Sequence, residues 1–313
     1  MCNLSICIPT YNRLEWAEKT VSELNAVADC SFEVVIVTEP TSDKRKSNQY
    51  WDKYNVNVRV FENEARMGFP KSILKLADLA EGDFVLFSSD EDFIESDSVP
   101  WLLETIENND EVTRIIGGAD HDVDEGKYSS KEALMELFWS QYHLTGHLMR
   151  KEVIDTSYAA QYVPEKQNAL GPYIHQVLAT QAMIAGVTLC TERDFWRNGA
   201  EQIHEHEVSY SIPEARVRQC CERIERVIPD LINDPSMKKH LLNEQRKRAA
   251  TLLLRTVRSP RRAPTVLRII INEKSIVRSA AFWYSLPIIA GQYIIRQSKN
   301  ALCYGSKHVC SSI

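Results

Sequence analysis

Residues 4–87 repeat one unit: a short apolar run, a stretch with helical spacing, then another apolar run. Leu4-Ser-Ile-Cys-Ile8 is closed by Pro9, which predicts a buried strand running into a loop. Residues 14–26 have helical spacing, with Trp16, Val21 and Leu24 as core-facing positions. Residues 32–37 are mostly β-branched and apolar apart from Glu33, the pattern of a buried parallel strand. Residues 56–61 alternate and read as a third strand, and 70–80 as a helix carrying Ile73, Leu74, Leu76 and Leu79. A fourth strand, 84–87, runs straight into Ser88-Ser-Asp-Glu-Asp92. Such alternation specifies an α/β fold: a mostly parallel sheet with helices on both faces. Ligands of these sheets bind at the carboxyl ends of the strands, so 9–13, 38–43 and 88–92 should meet in space.

Weaker signals follow. Residues 100–109, 131–141 and 173–185 read as helices, the last ended by Gly186. Residues 113–117 and 187–190 read as strands, and 146–150 as a short strand or turn leading to another helix. From about residue 210 long helical patterns take over. The expected organisation is an α/β domain over 1–210 and a helical, basic region over 211–313.

Four segments carry candidate chemistry. Asp90-Glu91-Asp92 crowds carboxylates at a strand end, where they cannot all stay ionised without a counter-charge. A hard divalent cation bridging to a diphosphate meets that need; a solvated loop ahead of a helix near Asp97 is the plainer alternative. Pro9-Thr10-Tyr11-Asn12-Arg13 sets a hydroxyl, a ring and an amide where a base could stack and hydrogen-bond, or else is a βα turn with Asn12 as helix cap. Glu39 can accept hydrogen bonds from a base or ribose, or simply belong to a polar loop. Gly68 permits close backbone approach, with Arg66 or Lys71 facing phosphate, or the segment is an exposed turn before a helix.

In this order the four segments resemble the family 2 glycosyltransferases, well over residues 4–95 and loosely over 110–195. That family's P-T-Y-N-R is Pro9 to Arg13. Its V-D-D-x-S-x-D is Val37-Thr-Glu-Pro-Thr-Ser-Asp43, and its N-x-G segment begins at Glu64 and includes Gly68. Its G-x-Y-I-x-F-L-x-D-D-D is Gly82-Asp-Phe-Val-Leu-Phe-Ser-Ser-Asp-Glu-Asp92. The resemblance implies a GT-A-like fold and a glycosyltransferase. Its donor would be a nucleoside diphosphate sugar, UDP-linked by preference, and its acceptor a hydroxyl on a glycan, including a lipid-linked one, in polysaccharide or glycoconjugate synthesis. It further implies an inverting reaction with Mg²⁺ or Mn²⁺ held by Asp90 and Asp92, a nucleotide pocket lined by Pro9, Tyr11 and Arg13, and Glu39 at the base. Counting back from Gly186 puts His175 where the family has its carboxylate general base; Glu165, Asp120 and Asp122 are rivals, and His147 falls on the acceptor side. Thr38 and Ser72 (or Lys71) depart from the family pattern.

The charge is uneven. Residues 241–313 hold thirteen Lys/Arg and two acids within a chain of net charge −6. The aromatic stretch around Phe282, Trp283 and Tyr284, flanked by Arg278, Arg296 and Lys299, has the composition of an interfacial helix on an anionic membrane, or of a helix packed on the acidic body. Glu201, His204, Glu205, His206 and Glu207 form a polar cluster without the H-E-x-x-H spacing of a zinc site. No pair of the eight cysteines forms C-x-x-C and the chain enters a strand at once, so a cytoplasmic location, extending to the inner membrane face, is expected without a leader. No nucleic-acid motif is present, and no such partner is expected. Two other readings stand beside the transferase: a decayed, non-catalytic binding or membrane-associated protein, and a nucleotidyltransferase, which would normally carry a Gly-rich phosphate loop after its first strand. A Rossmann dehydrogenase is disfavoured because no G-x-G-x-x-G follows that strand.

Overall fold

The computed structural model describes residues 3–27, 31–117, 124–138, 144–163, 174–197, 199 and 223–257. The chain divides into two compact units, Met1–Glu207 and Val208–Ile313. In the first unit the strands are β1 (Leu4–Thr10), β2 (Phe32–Thr38), β3 (Asn57–Glu62), β4 (Phe84–Phe87), β5 (Phe93–Ile94), β6 (Val112–Gly117), β7 (Gly126–Tyr128), β8 (His147–Arg150), β9 (Val187–Thr191) and β10 (Trp196–Arg197). The helices are α1 (Leu14–Leu24), α2 (Phe69–Leu79), α3 (Ser98–Glu107), α4 (Ser130–Glu136), α5 (Thr156–Ala160) and α6 (Ile174–Ala185).

Eight strands form one sheet in the order β3-β2-β1-β4-β8-β6-β9-β7, and β5 pairs with β10 apart from it. The expected mostly parallel α/β sheet is present. β3, β2, β1 and β4 are mutually parallel, as are β6 and β9, whereas β8 runs antiparallel to both β4 and β6 and β7 antiparallel to β9. Every residue of β1 and β2 is buried, as a sheet covered on both faces requires. Leu14, Ala17, Val21 and Leu24 recur at helical spacing on α1 and are all buried. Trp16, expected in the core, is instead half-buried one step round the helix, with Lys19 Nζ 4.3 Å from its ring centroid.

β1 does not stop before Pro9 but continues to Thr10. Cys7 accepts a hydrogen bond from Ser88 N, so alternate residues of β1 turn towards β4. Two residues on, Pro9 turns the same way, past the last paired residue Phe87, where no backbone donor is needed.

Glu33 sets a charge among these apolar strands. Glu33 on β2 is 1% exposed and stands opposite Ser5 on β1. Its carboxylate accepts from Ser5 Oγ (2.6 Å), Glu81 N (2.7 Å) and Arg59 Nε of β3 (2.7 Å). Arg59 also donates to Leu79 O at the end of α2, so this network ties three strands to the α2–β4 connection.

In the second unit, Pro235–Val257 is a long helix, preceded by Arg223–Val227 and Ile228–Leu231. Asp234 accepts from Met237 N at its start. No helix among the described residues is long and apolar enough to cross a membrane. The aromatic stretch around Phe282 lies outside the described residues, as do Asp120, Asp122, Glu165 and the cluster at 201–207.

Candidate active site

The parallel register sets Thr10 of β1 opposite Thr38 of β2, and β4 ends beside them. The segments that follow therefore converge. Thr10 Oγ1 donates to Asp90 Oδ2 at 2.7 Å, and Glu39 N donates to Thr10 O at 3.4 Å. Thus 9–13, 38–43 and 88–92 meet at the carboxyl ends of their strands.

Asp90 is 3% and Asp92 7% exposed. Arg13 Nη2 donates to Asp90 Oδ1 at 2.9 Å, and Nη1 forms an ion pair with Glu91. Burial pushes the Asp90 carboxyl up to about 6; Arg13 and the Thr10 hydroxyl oppose the rise, and the neighbouring Glu91 charge adds to it. Asp90 thus meets one guanidinium that it shares with Glu91. Asp92 is held differently: its carboxylate accepts from Thr145 Oγ1 and, at 3.4 Å, from Gly199 N, and its carbonyl accepts from Thr20 Oγ1 of α1 at 3.2 Å. Among the described residues no group of three or more His, Cys, Asp or Glu is disposed to hold a metal ion. Any cation here would draw on one or two carboxylates and complete its shell with ligand oxygens, the usual mode for Mg²⁺ on phosphates.

The Glu39 carboxylate is buried and faces the turn before α2. It accepts from Met67 N (2.9 Å), Gly68 N (2.7 Å) and Asn63 Nδ2 (3.3 Å). Gly68 has φ +80°, in the left-handed region that favours glycine, and precedes the first turn of α2. Next to it the exposed Arg66 lies over the Tyr11 ring, 4.6 Å from its centroid, and Tyr11 is 46% exposed. Lys71 is exposed on α2. Asn12 is no helix cap: it sits at φ +54° with Arg13 in the capping position, and no side chain caps α1. The Tyr11 ring and the Arg66 guanidinium thus meet, while Glu39 holds the loop that carries Arg66.

The candidate base and the candidate acceptor-side histidine lie on α6 and β8. His147 opens β8 and His175 lies on α6; their rings stand edge to face with centroids 4.9 Å apart, and Phe69 is 6.4 Å from His175. His175 is 0% exposed. Just before β8, Gly146 has φ +92°, and a Cβ there would fall 2.6 Å from Trp196 Nε1. Trp196 is buried against this turn. Thr20, Asn63 and Thr145 have no mark in the sequence, because single hydroxyls and amides outside any motif carry no signal until the fold brings them to residue 92 or Glu39.

The glycosyl transferase family 2 model matches residues 5–161, half of the chain. The chain belongs to glycosyl transferase family 2. Within this family 2 chain the match contains Thr10, Arg13, Asp90, Asp92 and Thr145, and it ends before His175. An uncharacterised glycosyltransferase of Haemophilus influenzae is 30% identical over 112 residues, 36% of this chain and 37% of its own length. Poly(ribitol-phosphate) β-N-acetylglucosaminyltransferase TarS of Staphylococcus aureus is 34% identical over 109 residues, 32% of this chain and 18% of its own. The matched portions are thus well under half of these relatives. A crystal structure of TarS 1–349 in complex with UDP-GlcNAc superposes with a TM-score of 0.54 at 17% identity, covering 80% of this chain and 73% of that one. The mannosyltransferase PcManGT of Pyrobaculum calidifontis, in complex with GDP-Man and Mn²⁺, gives 0.52 at 12%, covering 92% and 84%. At these identities the structural likeness shows the fold, which is GT-A-like.

Proposed function

We propose that this chain transfers a sugar from a nucleoside diphosphate sugar, UDP-linked by preference, to a hydroxyl acceptor, with inversion and with Mg²⁺ or Mn²⁺. The observation that carries the reading is the buried Asp90–Asp92 pair at the end of β4, with the Asp90 carboxyl raised to about 6 by burial. Family membership and the ligands of TarS and PcManGT support it. Asp92, with Asp90, would hold the cation, which supplies charge neutralisation to the departing diphosphate. Tyr11 and Arg66 offer a ring face and a guanidinium to the nucleotide. Arg13 keeps Asp90 and Glu91 from repelling each other before the donor arrives. His175 is the proposed base; because it is fully buried against His147, the acceptor must reach it by displacing what covers it.

Calorimetric titration with UDP, GDP, CDP and TDP, each with and without Mn²⁺, tests this. One nucleotide, UDP, should bind only with the metal, and Mn²⁺ alone should bind weakly because two carboxylates make an incomplete shell. Absence of binding by all four would favour the non-catalytic reading. For the basic region 241–313 we propose contact with an anionic membrane surface that presents a lipid-linked acceptor. Sedimentation of the full chain with phosphatidylglycerol vesicles should be strong at low salt and lost at high salt; no sedimentation at low salt removes the proposal.

A further inference from the structure

Antiparallel pairing of β4 with β8 sets Phe84 opposite Arg150 and Phe87 opposite His147. Continued two residues past the end of β4, that register places Ser89 opposite Thr145. A bond does form there, but not the ladder bond: Ser89 N donates to the side-chain Oγ1 of Thr145, at 2.8 Å, in place of a backbone carbonyl. A threonine hydroxyl has one proton and two lone pairs. With a lone pair occupied by Ser89 N–H, its proton points to the Asp92 carboxylate, with which it forms a short hydrogen bond. Thr145 is 2% exposed, so water does not compete for either bond.

The hydroxyl is itself held. Gly146, next in the chain, donates to Phe87 O at 3.2 Å and takes a left-handed conformation that brings its Cα face against the Trp196 ring. Trp196 in turn pairs with Ile94, two residues beyond Asp92. Asp92 is thus enclosed in a ring of contacts that runs from β4 through Thr145, Gly146 and Trp196 back to β5. On the other side, Thr20 fixes its backbone carbonyl.

We propose that Thr145 is a positioning residue for the metal–diphosphate site: it fixes the plane of the Asp92 carboxylate. The inference rests on the metal-dependent reading above. Without the hydroxyl, the Asp92 side chain gains rotational freedom that cation binding must then remove. Groups that orient a ligating carboxylate from outside typically alter metal affinity about 10- to 100-fold when removed.

The test is UDP binding to the full chain followed by calorimetry across a Mn²⁺ titration, for wild type, Thr145→Val and Thr145→Ser. Valine keeps the shape and removes the hydroxyl; serine keeps the hydroxyl. Thr145→Val should raise the Mn²⁺ concentration for half-maximal UDP binding about tenfold, with UDP affinity at saturating Mn²⁺ nearly retained. Thr145→Ser should return the midpoint to within about threefold of wild type. A purely structural role would lower the melting temperature and leave this midpoint in place. If the valine variant does not fold, Thr145→Cys, of similar size and a weaker donor, should lie between serine and the valine expectation; a cysteine variant with the wild-type midpoint overturns the inference. A folded Thr145→Val with the wild-type midpoint overturns it as well, while leaving the transferase reading intact. A wild type that binds UDP without regard to Mn²⁺ overturns the metal site, and the role of Thr145 with it.

Discussion

Asp92→Asn is expected to reduce sugar transfer at least about a hundredfold while the protein melts close to the wild-type temperature. The substitution alters charge more than shape. An asparagine keeps the size of the side chain and can turn its carbonyl oxygen to Gly199 N and its Nδ2 to the second lone pair of Thr145 Oγ1. Thr20 bonds the backbone of residue 92 and is unaffected. What disappears is the negative charge on the residue proposed as the direct metal ligand. Loss of a cation that neutralises a leaving diphosphate is worth several kcal/mol in the transition state. Rate against Mn²⁺ concentration, together with a melting curve, decides the matter. Transfer within about tenfold of wild type, with the same metal dependence, would place the metal site elsewhere.

The largest effect on stability should come from Glu33→Ala. Its carboxylate joins β1, β2, β3 and the α2–β4 connection through Ser5, Arg59 and the Glu81 amide. Truncation leaves a hydroxyl and an amide without their acceptor and separates Arg59 from its buried partner. Breaking a buried charge pair from one side costs roughly 3–5 kcal/mol; because Arg59 reaches solvent, about 3 kcal/mol is the expectation here. Denaturant unfolding measures it, and a loss under about 1 kcal/mol would show that water replaces the carboxylate readily. Acid provides a second view. Burial pushes the Glu33 pKa up, but the hydrogen bonds from Arg59, Ser5 and Glu81 N outweigh it and hold the carboxyl below the ordinary glutamate range. A carboxylate depressed on folding contributes fully above its unfolded pKa and loses that contribution as pH falls through its folded one. The gap in stability between wild type and Glu33→Ala should therefore narrow on the acid side of the glutamate range.

Much of this architecture is legible in the sequence because its first half obeys local rules. Strand 84–87 is found with the expected bounds, and α1, β2, β3 and α2 shift by one or two residues at their ends. The departures have identifiable causes. Pro9 closes a strand only where its missing N–H faces a neighbour, and here the neighbour has already ended. The antiparallel course of β8 has no signature in four residues, His147–Arg150, flanked by a glycine. The two-residue strands β5 and β10 are too short to show a period. In the site, the acidic triplet and the Pro9–Arg13 segment stand out because they are contiguous. Glu39 is visible as an acid, but not its turning towards the amides of Met67 and Gly68, which depends on a loop twenty-eight residues away. Thr145 lies fifty-three residues from the group it orients, and nothing near it in the chain marks it.

The position of β8 between β4 and β6 has a consequence for the order in which this protein is made. By the time residue 95 has left the ribosome, β3, β2, β1 and β4 are all available, in neighbouring order and joined by short helical crossovers. The half of the sheet that carries Thr10, Arg13 and Asp90 can therefore assemble from local contacts, which favours rapid formation. Its growing edge is β4, and the strand that covers that edge comes some sixty residues later, at His147–Arg150. Until then the nascent chain exposes an apolar strand, Phe84-Val-Leu-Phe87, with unpaired backbone groups on one side. The acidic cluster that follows it supplies charge at the end of this open edge, in the manner of residues that discourage strands of neighbouring chains from pairing. The same carboxylates proposed to serve the metal in the finished protein would then have an earlier task, during synthesis, as guardians of an incomplete sheet.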